Sequence, residues 1–124
     1  MVLQDSTGST KRSKVSFLIS ETVANHIFNS SSFQRRIIFF DAAFKKMNKR
    51  ICIINTYLPA DPNNNKSEFK STLAMLNMII SEVETKNYNI ILMGNFNNNI
   101  NTYYLTPYRN SLLHKLYNQF LCSF

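Results

Sequence analysis

Apolar and polar positions alternate along this chain in blocks. They predict strands through the first half, then helix, strand and helix. Val15-Ser16-Phe17-Leu18-Ile19 is a short apolar run and predicts a first strand. Residues 20–32 show no clear period, and Asn29-Ser30-Ser31-Ser32 is turn-like in composition. Residues 36–44 and 50–57 are rich in β-branched and aromatic side chains. The polar connector Lys45-Lys46-Met47-Asn48-Lys49 joins them, so the pair reads as an antiparallel hairpin. Both runs are apolar over consecutive positions, which predicts interior strands covered on both faces.

Leu58-Pro59-Ala60-Asp61-Pro62 breaks the second of these strands. Phe69, Leu73, Leu76, Ile80 and Val83 then recur at alternating steps of four and three, one apolar stripe of a helix lying on a sheet. Asn65 is placed to cap that helix, with Glu68 three residues on to complete a capping box. Lys86 falls near its C-terminus, where a cation suits the helix dipole. Residues 87–89 turn the chain, and residues 89–93 predict a strand. Leu112, Leu113, Leu116, Tyr117 and Phe120 predict a second helix over 108–120. The order is that of an α/β (α+β) layered domain without internal repeats.

Composition narrows the picture. With 124 residues, 44% hydrophobic and 13% aromatic, the chain is one globular domain at most. The Ser/Thr-rich residues 1–14 are expected to be a loose polar tail, with the domain spanning 15–124. Fourteen Lys+Arg against seven Asp+Glu give a net charge of +7, which favours contact with a polyanion. The cations form short clusters (Lys11-Arg12-Lys14, Arg35-Arg36, Lys45-Lys46-Lys49-Arg50) and no long basic run. Cys52 lies in an apolar run and reads as a buried thiol, and with Cys122 it is too little for a disulfide framework. No apolar run approaches the ~20 residues of a membrane span. No secretory signal is visible, so an intracellular protein without a membrane partner is expected.

Two segments carry candidate chemistry. Asn55-Thr56-Tyr57-Leu58-Pro59 ends one strand, and Gly94-Asn95-Phe96-Asn97 follows the apolar run Ile90-Ile91-Leu92-Met93. With an amphipathic helix between them, they resemble the endonuclease/exonuclease/phosphatase superfamily, and most of all its retroelement branch. Members of that branch often read N-x-Y-x-P, then a helix, then an apolar strand and G-D-F-N. The resemblance covers most of residues 15–116, and its sharp part is these two segments.

The resemblance implies a fold of two face-to-face sheets with helices outside, about one half of which this chain supplies. It implies a parent activity of metal-dependent phosphodiester hydrolysis of DNA, usually with magnesium. Tyr57 matches the phosphate-side Tyr, and Asn97 matches the Asn that contacts the phosphate. Asn55 and Asn97 are the implied substrate-binding residues. Asn95 stands where the family has the Asp that orients or deprotonates water. An amide cannot take that proton. The family's metal-binding Glu and first catalytic Asn have no counterpart upstream, and its closing Asp-His lies beyond residue 124. His26 and His114 match nothing in the pattern. The expectation is therefore a retroelement-derived remnant, catalytically inactive and holding no functional magnesium. Its uncovered apolar sheet face would favour self-association. The alternative is a non-catalytic basic module for nucleic acid or protein contact, binding DNA through its charged surface.

Overall fold

The computed structural model describes residues 1–4, 15–58 and 66–95. Eight elements follow in order: β1 (Val2–Gln4), β2 (Ser16–Leu18), α1 (Glu21–Ala24), β3 (Ile27–Phe33), β4 (Ile37–Phe44), β5 (Lys49–Tyr57), α2 (Lys66–Thr85) and β6 (Asn89–Asn95). A single 3-10 turn, Lys45–Met47, joins β4 to β5. β1 and β2 form a two-stranded antiparallel ribbon. The main sheet has the order β3-β4-β5-β6. Its first three strands are antiparallel, and β6 joins β5 in parallel after the α2 crossover. The expected hairpin, helix and return strand are all present, and the hairpin strands are the two interior strands. The expected helix over 108–120 and the putting of Asn65 at a helix cap lie outside the described residues.

Strand alternation sorts the core into two layers. On one face Ile37, Cys52 and Ile54 pack under α2, whose Phe69, Leu73, Leu76, Ile80 and Val83 are all buried. Each fully buried Leu or Ile there contributes about 1.5–3 kcal/mol relative to exposure. The helix ends in a Schellman arrangement. Asn87 is left-handed (φ 57°), its N–H donates to Glu84 O at 3.0 Å, and Tyr88 N–H reaches back to Val83 O at 3.5 Å.

On the opposite face Ile38, Phe40 and Ala42 are covered by Val15, Phe17 and Ile19, with the Phe17 ring edge-on to Phe40 at 5.0 Å. The cover stops short of β6, where Ile91 and Met93 remain 45% and 42% exposed. The ribbon's own outer side leaves Val2 and Leu18 exposed. His26 tilts against Phe44 at 4.9 Å and serves packing.

Two sequence expectations change. Residues 29–32 are not a turn: they lie within β3, an edge strand whose serines pair with Ile38, Phe39 and Phe40. The turn comes later, at Gln34 (φ 46°) and Arg35 (φ 57°), where two successive left-handed residues match the twist of a tight hairpin. Nor is the start of the chain loose throughout, because Val2–Gln4 pairs with β2. Leu3 stands opposite Phe17, and Met1 and Ile19 exchange both backbone hydrogen bonds at 2.8 Å.

Candidate functional site

Parallel strands offer a site at their carboxyl ends, where the chain leaves the sheet and side chains converge without blocking backbone pairing. Here β5 and β6 end together. Asn55 pairs with Met93, Thr56 with Gly94 and Tyr57 with Asn95. The ladder runs one step further, as Leu58 N–H donates to Asn95 O at 2.8 Å. Alternation along both strands sends Asn55, Tyr57, Met93 and Asn95 to the face away from α2, and Thr56 and Gly94 toward it.

Gly94 makes this register possible. Its φ is 137°, and a Cβ there would collide with the backbone carbonyl of Thr56 on the neighbouring strand. Only glycine allows so close an approach. Thr56 is fully buried beneath it, and its hydroxyl has no hydrogen-bond partner.

The sequence-predicted residues Asn55, Tyr57 and Asn95 are thus neighbours on one face of one sheet edge. Asn97, the fourth, lies outside the described residues. Asn55 is already engaged: its amide donates to Ser16 O at 3.0 Å and ties β2 to β5. Tyr57 is half-buried and packs with the second-face core. Asn95 is exposed at the strand end.

Arg36 is a site neighbour that the motifs do not reveal. Its carbonyl accepts from Tyr57 N–H at 2.8 Å, and its guanidinium lies 5.5 Å from the Tyr57 ring centroid. Nη2 donates to Glu68 Oε2 at 2.6 Å, which ties the sheet edge to the first turn of α2. Nη1 is buried without a partner. Glu68, expected to close a capping box, has its carboxylate on Arg36.

This donor set is two amides and a phenol. Magnesium prefers hard, charged oxygens, above all carboxylates, so Asn55, Tyr57 and Asn95 do not fit a magnesium site. Among the described residues no three His, Cys, Asp or Glu side chains cluster as metal ligands.

The buried polar chemistry of the domain lies elsewhere, under α2. Asp41 accepts from Asn29 Nδ2 at 3.0 Å through one carboxylate oxygen, while the other is buried and unpaired. Its pairing partner across the ladder is Cys52. Burial first, and then the adjacent Asp41 carboxylate, push the Cys52 thiol far above the ordinary thiol value. Such a thiol stays protonated and inert, as its apolar surroundings imply.

No protein-family model, curated protein or solved structure matches the chain. Among the described residues no helix is long and apolar enough to cross a membrane.

Proposed function

We propose that the chain is an endonuclease/exonuclease/phosphatase-type domain of retroelement origin that no longer hydrolyses, with Asn95 in the place of the base and no metal-binding carboxylate beside it among the described residues. One observation carries the reading: Tyr57 and Asn95, from motif segments far apart in sequence, are direct register partners at the carboxyl end of a parallel pair. Asn55 stands on the same face one pleat back, and Gly94 is forced by the approach of Thr56. A G-D-F-N motif needs the same strand end and the same glycine to present its Asp.

The chemistry that would run there needs a base for water and a charge partner for the phosphate. Asn95 has the size of Asp and keeps the fold, but its amide accepts no proton at neutral pH. Losing a general base costs roughly 10²–10⁴ in rate. Phosphate contact alone survives such a loss. The net charge of +7 supports the second reading, a non-catalytic nucleic-acid-binding module.

Plasmid nicking in magnesium buffer, comparing the native chain with Asn95→Asp, tests the first reading. Neither protein is expected to cut, because the donor set lacks a metal carboxylate as well as a base. Cutting by the native chain would remove Asn95 from the base position. Cutting by Asn95→Asp alone would show a metal site that this donor set does not supply.

A further inference from the structure

The strongest charge feature of the described residues lies at the other end of β5 and β6. A cleft of about 430 Å³ opens where the β4–β5 connector meets the end of α2. Lys45, Lys49, Arg50 and Lys86 line it, together with Asn48 and Asn87. Among the described residues no carboxylate lines it. Among the described residues Lys45 and Lys49 form no ion pair, and Lys86 has only Glu82, at 3.8 Å.

The cleft is held in shape from below. Asn48 (φ 49°) and Asn87 (φ 57°) are both left-handed and fix the two tight turns that present the lysines. The Arg50 guanidinium lies beside two rings, 5.7 Å from the Phe28 centroid and 5.9 Å from that of Tyr88, and the rings themselves meet edge-on at 6.2 Å. Its Nη1 also donates to Tyr88 Oη at 3.4 Å. Phe28 sits at the register shift of β3, between Ile27 and Asn29, and such a bulge re-aims a side chain. The Lys86 ammonium lies 5.9 Å from the Tyr88 centroid.

Four like charges with a single carboxylate contact, Lys86 to Glu82, repel one another, and an anion in their midst reverses the sign of that interaction. Lysines supply mobile point charges, and an arginine held beside two rings supplies a fork, a pairing suited to phosphate oxygens. The volume falls within the range of small-ligand sites and exceeds what a lone phosphate fills.

We propose that this cleft binds the phosphate of a nucleotide, either free or within a single nucleic-acid strand. It lies at the amino ends of the parallel strands, away from Tyr57 and Asn95, and does not rest on the nuclease reading.

Fluorescence anisotropy of a labelled strand of about 12 thymidines at low ionic strength tests it. The full chain is compared with Lys45→Glu/Lys49→Glu and with Lys66→Glu/Lys70→Glu, which makes the same charge change on α2. The cleft pair is expected to weaken binding at least about tenfold, and the α2 pair less than about threefold. Lys45→Gln/Lys49→Gln, which removes charge without reversing it, is expected to lose less in the same direction. Adenosine monophosphate added as competitor identifies the source. Displacement assigns the cleft to a free nucleotide. A strand that resists displacement yet still depends on Lys45 and Lys49 assigns it to a polymer. Equal weakening by the cleft and α2 pairs would overturn the proposal, as would no binding by the native chain.

Discussion

The two ends of the β5/β6 pair carry opposite chemistry on one scaffold. At the carboxyl end the side chains facing away from α2 are neutral, and the nearby Arg36 is already spent on Glu68 and Tyr57. At the amino end four cations line a cleft whose lining holds no acid among the described residues. Parallel strands ordinarily place ligands at their carboxyl ends. In this chain that end has converging strand termini and neutral side chains, while the charges gather at the other end. Geometry and chemistry have separated. On the function proposed above, the fold outlives its activity, because strand pairing is held by the core and catalysis by a few exposed side chains.

The largest expected effect tests the geometry. Gly94→Ala forces a Cβ against the Thr56 carbonyl at a backbone angle that disfavours it, and is expected to cost roughly 2–5 kcal/mol. Asn89→Ala, at the exposed opposite end of β6, is expected to stay within about 0.5 kcal/mol. Urea denaturation midpoints compare the two. Equal costs would mean that the carboxyl end is not the constrained one.

Cys52 gives a pH test of how well α2 seals its face. Its folded value lies above that of the unfolded thiol, so the folded state keeps a proton that the unfolded state loses. This contribution is complete below pH 9.0 and fades as pH rises above it, with a slope approaching about 1.4 kcal/mol per pH unit. Cys52→Ala is expected to remove that part of the alkaline slope. An unchanged slope would mean that the thiol is not sealed.

Arg36→Ala is expected to cost about 1–2 kcal/mol, from the lost stacking on Tyr57 and the lost ion pair to Glu68. Glu68→Gln is expected to cost less, because the stacking remains. The smallest effect has the opposite sign. Lys45→Gln/Lys49→Gln is expected to raise stability by up to about 0.5 kcal/mol at low salt, since it relieves repulsion that no folded-state contact offsets. A clear loss of stability would make those lysines structural.

Much of the fold was legible because its signals were periodic. The α2 stripe and the β4–β5 pair bury most of the side chains that the pattern marked, β6 half-buries Ile90 and Leu92, and Cys52 is buried as its setting implied. β3 was hidden because its serines lie on an edge strand, where one side needs no apolar run. Its turn was hidden because Gln34 and Arg35 take left-handed angles normally announced by Asn or Gly. β1 was hidden because a three-residue strand in a polar segment is specified by its partner, not by its own pattern.

The candidate site was legible in part. Asn55, Tyr57 and Asn95 lie at one strand end, and Arg36 joins them through its pairing with Tyr57. The basic cleft was visible as a cluster of letters at 45–50, but Lys86 joins it only because α2 brings the chain back to the same end of the sheet.

The most direct test of the contrast between the two ends is an amide chemical-shift titration of the full chain with the same thymidine strand. The expected result is perturbation at Lys45, Asn48, Lys49, Arg50, Lys86 and Asn87, with Asn55, Tyr57, Gly94 and Asn95 unmoved. Perturbation confined to the second group would contradict the account, because it would place the ligand at the end held here to be chemically silent.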